Sequence, residues 1–166
     1  MLLYRNIISK IDNVIKWLLI VMMALLVTDV TWQVLTRFIL PQPSSFTEEV
    51  ARFLLIWISL IGGAYAYRQN SHLGFDLLVK KISVTKAEYL RKFCCCLVSI
   101  FAVLVLIIGG ANLVEMTWTL GQRSPVLNIP MAFVYSVIPL SGFLFLMYST
   151  LFFFHAESQL PQEETK

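Results

Sequence analysis

Four long apolar stretches fill most of this chain of 166 residues. A helix needs about 20 apolar residues to cross a bilayer whose hydrocarbon core is about 30 Å thick. Hydrophobic residues make up 58% of the sequence and charged residues only 14%, which is unlike a soluble domain. We therefore predict an all-α integral membrane protein. It forms a single membrane domain, residues 1–166, with four transmembrane helices at about 17–40, 48–68, 90–120 and 131–155.

Two shorter segments are predicted to be amphipathic helices. In residues 4–16, isoleucines recur at helical spacing, and polar or charged residues fill the other faces. Residues 73–82 repeat this pattern, with Phe75 and Ile82 seven residues apart on the apolar side. We expect both helices to lie in the membrane plane at the cytoplasmic face, and residues 156–166 to form a polar tail.

The distribution of Lys and Arg predicts the orientation of the chain. These residues cluster before the first span and between spans two and three, whereas the two short proline-containing connections carry few of them. An excess of basic residues marks the cytoplasmic side of a membrane protein. Both termini of this multi-pass protein are therefore predicted to be cytoplasmic. The first apolar run is too long for a cleavable signal peptide, so we expect it to remain in the mature protein.

Charged residues are costly inside a membrane, so their positions are informative. In the predicted topology, five of them lie in the half of the membrane away from the termini, and both signs are present. Opposite charges at one depth favour ion pairs between helices. We predict a structural polar network in which the two arginines face the acids of neighbouring helices: Arg37, Glu48, Glu49, Arg52 and Glu115.

Polar and small residues on the first two spans indicate helix contacts. Asp29, Gln33 and Arg37 recur every four residues and form a polar stripe on one helix. A proton or ion relay needs ionisable groups through the full depth of the membrane, but only Asp29 lies near the middle. We therefore favour a structural role, because small and polar residues allow close helix packing. The residues predicted to pack against a partner subunit are Asp29, Gln33, Ser59, Gly62 and Gly63.

Other classes of function fit the sequence less well. A self-contained, homo-oligomeric exporter that uses Asp29 as its proton-coupled site is the alternative reading. A haem-binding membrane anchor is disfavoured, because the two histidines, His72 and His155, fall at span ends. The sequence has no catalytic set, metal-ligand spacing or nucleic-acid module, so we expect no enzymatic activity, no cofactor and no metal. Cys94–Cys96 are interpreted as reduced apolar fillers, with acylation as the alternative.

Several short motifs follow one another along the chain in a fixed order. They are Trp32–Val34 with Arg37 and Pro41, Thr47–Arg52, Trp57, Leu60–Ala64, Arg68, His72 with Asp76, and Gly121–Pro130 followed by Tyr135 and Pro139. Their order and spacing resemble the small (Q-type, DctQ-like) membrane subunit of tripartite ATP-independent periplasmic (TRAP) transporters. The resemblance covers about residues 10–155. Phe46 stands where tryptophan is expected in that family, which exchanges one aromatic residue for another.

The resemblance implies a scaffold subunit that binds no substrate itself, in the inner membrane of a bacterium. Its implied partners are a large membrane subunit, which carries the substrate and sodium sites and moves as an elevator, and a periplasmic substrate-binding protein. Membrane lipid is a further expected partner, and nucleic acid is not. The implied transport is sodium-coupled uptake of an organic acid of the sialic acid or C4-dicarboxylate class.

Overall fold

The computed structural model describes residues 2–39, 45–70 and 84–155. The predicted in-plane helix at 73–82 and the predicted polar tail at 156–166 lie outside these ranges. The regular elements within the ranges are all helical, with no strand among them. They are α1 (Leu2–Ile39), α2 (Ser45–Asn70), α3 (Val84–Phe101), a π-helical segment (Ala102–Gly109), α4 (Gly110–Thr119), α5 (Met131–Tyr135) and α6 (Val137–His155).

Four stretches of these helices are long and apolar enough to cross a membrane, and we call them spans one to four. The shortest has 22 residues, and about 20 are needed. For the described residues, the prediction of an α-helical protein with four long apolar helices is confirmed. The spans are Ile8–Ile39, Ser45–Gln69, Lys92–Thr119 and Met131–Phe152.

The beginning of the chain differs from the sequence prediction. Residues 4–16 were expected to form a separate in-plane helix, but α1 runs as one helix from Leu2 to Ile39. Ile8 and Ile15 are buried in the core cluster that α1 shares with α2 and α6. An amphipathic stripe can be buried either in a membrane surface or against neighbouring helices. In this chain the stripe is used for packing within the bundle.

The third span contains a long π-helical segment that the sequence did not predict. The backbone N–H of Gly110 points to the carbonyl of Val105, five residues earlier, as expected for π-helical geometry. The segment is entirely aliphatic apart from its final glycine. Because one kind of side chain faces every direction, its sequence has no periodicity from which a change of helical pitch could be inferred.

The fourth span is divided by a short break. α5 ends at Tyr135 and α6 begins at Val137, with Ser136 forming a turn between them. The break lies three residues before Pro139, which has no backbone N–H to donate into the preceding turn and whose ring crowds the carbonyl four residues back. The proline therefore accounts for the position of the break.

The four spans pack in a row, in the order one, two, four, three. α1 packs against α2, α2 also packs against α6, and α6 packs against α3 and the π-helical segment. Within the described residues, span three has no comparable contact with span one or span two. We call the end of the row at which α1 and α4 end the loop end. The opposite end, where α1 begins and α6 ends, is the terminal end.

Candidate functional site

Glu49 joins two parts of the chain that are far apart in sequence. It lies in the first turns of α2, at the loop end, and only 8% of it is exposed. One of its oxygens, Oε2, accepts hydrogen bonds from two backbone N–H groups. The distance from Oε2 to the nitrogen is 2.7 Å for Leu127 and 3.2 Å for Val126. A buried carboxylate must be hydrogen-bonded to offset the loss of its hydration. Glu49 thus fastens the connection between spans three and four to the start of span two.

That connection is itself well folded. Gly121, which follows the last residue of α4 by two positions, has a φ of +60°. This is the left-handed conformation that glycine commonly provides just beyond the end of a helix. Backbone hydrogen bonds then close the connection, from Ser124 N–H to the Ile129 carbonyl at 2.9 Å and from Met131 N–H to the Gln122 carbonyl at 2.9 Å. These bonds hold the connection in the shape in which two successive N–H groups point at Glu49.

The other members of the predicted outer network are arranged differently. Arg52 pairs with Glu48 of the same helix, Nη2 to Oε1 at 2.8 Å, and both side chains are well exposed. Arg37 and Glu115 have no ion pair within the described residues and are also exposed. The predicted cross-helix ion pairs are therefore absent from the described residues. Among these five side chains, Glu49 is the one that joins its helix to another part of the chain, and its partners are backbone groups of the connection between spans three and four.

Asp29 and Gln33 lie half-buried along α1. The Oδ2 atom of Asp29 is enclosed and has no hydrogen-bond partner within the described residues. The neighbouring hydroxyl groups of Thr28 and Thr31 bond to carbonyls of their own helix. An unpaired carboxylate oxygen is costly in an apolar setting, and the described contacts of this chain do not offset that cost at Asp29.

The glycines that were predicted to contact a partner subunit lie near helices of this chain. A Cβ atom on Gly62 would be 3.8 Å from Leu19, and one on Gly63 would be 3.9 Å from Phe145. These are ordinary contact distances, and Ser59 is exposed. The role of Ser59, Gly62 and Gly63 in partner packing remains a prediction.

The two glycines that are most tightly enclosed by another helix lie elsewhere, between spans three and four. A Cβ atom on Gly110 would lie 2.8 Å from Ile138 and within 3.0 Å of the Pro139 backbone nitrogen. A Cβ atom on Gly142 would lie 2.8 Å from Ile107, in the π-helical segment. Only glycine fits at these two positions without displacing its neighbours.

A second polar contact, at the terminal end, was missed by the sequence reasoning. Asp12 of α1 accepts hydrogen bonds from Tyr148 Oη, at 2.7 Å, and from Arg68 Nε, at 3.4 Å. The Arg68 guanidinium also lies over the ring of Phe152, 5.7 Å from its centroid. The contact joins spans one, two and four.

A sequence signal for this contact exists. Ile8, Asp12 and Ile15 are spaced i, i+4 and i+7, so the acid lies on the same helix face as the two buried isoleucines. An acid in the middle of an apolar stripe indicates a buried polar partner. Within the described residues, no group of three or more His, Cys, Asp or Glu side chains is placed to hold a metal ion.

Comparison with known proteins shows the family of this chain. Residues 23–157 match the model of the DctQ component of tripartite ATP-independent periplasmic transporters. A region of 78 residues is 36% identical to the sialic acid TRAP transporter small permease protein SiaQ of Vibrio cholerae, covering 47% of this chain and 43% of that protein. Over 142 residues, the chain is 30% identical to the ectoine TRAP transporter small permease protein TeaB of Halomonas elongata. This match covers 84% of this chain and 69% of that protein.

A third relative is much longer than this chain. The isethionate TRAP transporter permease protein DctMQ of Oleidesulfovibrio alaskensis is 29% identical over 137 residues. That match covers 78% of this chain but only 21% of the relative. The family model and two of these three matches each cover most of the sequence, and the described residues contain four apolar helices long enough to cross a membrane. The protein is therefore a multi-pass membrane protein that belongs to the DctQ family of TRAP transporter small subunits.

Proposed function

We propose that this chain is a static scaffold for the large membrane subunit of a TRAP transporter. Small subunits of this family partner with a large membrane subunit, and membership of the DctQ family is the observation that carries the proposal. The longer DctMQ permease, of which this chain matches about a fifth, is consistent with such a partnership.

The packing of the chain supports a scaffold role. Only 11–33% of the most apolar window of each span is buried within the chain itself. A row of helices leaves apolar side chains on both of its faces, which suits contact with a larger membrane protein on one face and lipid on the other. Polar groups with identified partners, such as Glu49 and Asp12, brace the row internally.

The orientation and the transport reaction are part of the same proposal. The excess of Lys and Arg at the terminal end supports a cytoplasmic location of both termini and a periplasmic location of the loop end. The folded connection at 121–130 then faces the side on which a substrate-binding protein would dock. Similarity to small permease proteins named for sialic acid and for C4-dicarboxylates supports uptake of an organic acid. Sodium coupling is proposed from the family resemblance alone.

Asp29 and Gln33, with Ser59, Gly62 and Gly63 of α2, are proposed to contact the large subunit. Asp29 is half-buried, so part of its carboxyl group remains accessible, and its Oδ2 atom has no hydrogen-bond partner within the described residues. A hydrogen-bond donor on a partner helix could bond to this carboxyl group, which supports the assignment. Gln33 lies one turn further along the same helix face and is also half-buried.

Reconstitution tests the scaffold role. The chain is placed in proteoliposomes alone, together with the large subunit, and together with both the large subunit and the substrate-binding protein. We expect uptake of the cognate acid, driven by a sodium gradient, only in the last case. The large subunit should also co-purify with this chain. Uptake by this chain alone would contradict the proposal and favour the exporter class.

Replacing Asp29 with asparagine separates assembly from proton coupling. Asparagine keeps the shape and one acceptor oxygen but cannot carry a proton through a transport cycle. If Asp29 holds a partner helix, we expect the yield of the complex to fall several-fold while uptake per assembled complex is unchanged. Exposed Thr28, replaced by alanine, is the control. Normal assembly with no uptake would contradict the structural role.

A further inference from the structure

An open groove runs along the row near the terminal end. Its walls are α1, from Lys10 to Leu18, and α6, at Leu140 and Leu144, and Ile61 of α2 forms its floor. The groove has a volume of about 310 Å³. The nine residues from Lys10 to Leu18 span roughly 12 Å along the axis of α1, which is the length of the groove. Apart from Lys10, every side chain that lines it is aliphatic.

The aliphatic walls are accessible. Val14 is 67% exposed and Leu140 is 47% exposed, whereas Ile61 at the floor is only 2% exposed. In a membrane, an apolar recess of this kind does not remain empty, because its lining would lose van der Waals contacts on one side. An acyl chain is the apolar group that the bilayer supplies at every point of a membrane protein's surface.

Lys10 gives the groove a polar end. It is exposed and lies in the first turn of span one, which places its ammonium at the depth of the lipid headgroups. Within the described residues Lys10 has no ion pair. The nearest acid on α1, Asp12, is already bonded to Arg68 and Tyr148. The charge of Lys10 therefore complements an anionic group at the mouth of an aliphatic groove.

The shape and the charge of the groove favour a lipid over a helix of another subunit. The groove is only about two helical turns long, and the charged side chain of Lys10 lies at one end of an otherwise aliphatic lining. An acyl chain can lie along this groove while its phosphate meets Lys10, whereas an apolar helix would leave the charge of Lys10 without a partner.

We propose that this groove binds one anionic phospholipid, with an acyl chain between α1 and α6 and its phosphate at Lys10. The proposal rests on the membrane location of the chain and not on its role in transport. The bound lipid would fill the space between spans one and four at the terminal end, where Asp12 and Tyr148 already join these spans.

Native mass spectrometry, which detects lipid bound to an intact protein, tests the proposal. The protein is the chain as extracted from the membrane together with its accompanying subunits. The probes are dioleoyl phosphatidylglycerol and dioleoyl phosphatidylcholine. We expect Lys10→Gln to reduce the preference for phosphatidylglycerol by roughly fivefold, the effect of one basic residue near an anionic surface. Leu18→Trp should fill the groove and remove the retained lipid.

Two controls lie on other faces of the same helix. Lys16→Gln removes an exposed charge six residues from Lys10, about 240° around α1, and Ile20→Trp adds the same bulk outside the groove. Both should leave lipid binding unchanged. Equal effects of Lys10→Gln and Lys16→Gln, or no preference for phosphatidylglycerol in the natural chain, would overturn the proposal. So would lipid that binds the isolated chain but is displaced by the large subunit, since a partner helix would then occupy the groove.

Discussion

Replacing Glu49 with leucine is expected to free the connection at 121–130 from α2. The substitution removes the acceptor of two backbone N–H groups, those of Val126 and Leu127. An unpaired buried donor costs about 1–3 kcal/mol, and part of this cost is reduced by solvent at the partly exposed Val126. We expect hydrogen exchange of these two amides to accelerate by roughly 5- to 30-fold, which corresponds to about 1–2 kcal/mol. Exchange measured on peptides covering 122–130 tests this.

Glu48 provides a matched control for this experiment. It is the same residue type in the same helical turn, but its partner is the exposed Arg52 on its own helix. Such a pair contributes about 0.3–0.5 kcal/mol, so Glu48→Leu should leave exchange at 122–130 nearly unchanged. Glu49→Gln, which keeps an acceptor oxygen without the charge, should fall between the two. If Glu48→Leu and Glu49→Leu accelerate exchange equally, Glu49 is not the anchor of the connection.

At the loop end, the sequence predicted that polar contacts form but not which groups form them. The position of five charged residues near one depth indicated polar contacts, and the structure places Glu49 in such a contact. The partners of Glu49 could not be inferred, because every residue except proline carries a backbone N–H group. The residue type therefore does not indicate which N–H groups bond to a carboxylate. Two neighbouring acids in one helical turn point in different directions, so one becomes buried and the other remains exposed.

The helices themselves follow from the sequence more directly. Long apolar runs separated by prolines and charges have few alternatives in a membrane, where every backbone group must be bonded internally. The detailed geometry of the third span does not follow in this way. Its π-helical segment at Ala102–Gly109 is aliphatic apart from its final glycine, so the sequence there has no hydrophobic periodicity that could indicate a change of helical pitch. The structure shows instead that Gly110 and Gly142 each lie so close to the neighbouring helix that a Cβ atom would not fit.

The second large effect is expected at Gly110. Alanine there would place its Cβ atom 2.8 Å from Ile138 Cγ2 and 2.9 Å from Pro139 Cδ, and 3.0 Å from the Pro139 backbone nitrogen. A backbone atom cannot move aside as the end of a side chain can, so spans three and four must separate. Overpacking of this kind costs about 1–3 kcal/mol. We expect the midpoint of thermal unfolding of the purified chain to fall, and to fall further for Gly110→Leu.

Gly109, the preceding residue, is the matched control. A Cβ atom there meets no other side chain, and its nearest neighbour is the carbonyl of Leu104 at 3.6 Å. Both substitutions gain helix propensity, about 1 kcal/mol for alanine over glycine, so this gain cancels when they are compared. The two alanine variants should then differ by about 1–3 kcal/mol, or roughly 2–12 °C in Tm. Equal Tm values would mean that spans three and four are not in close contact at Gly110, and the need for glycine at this position would then require another explanation.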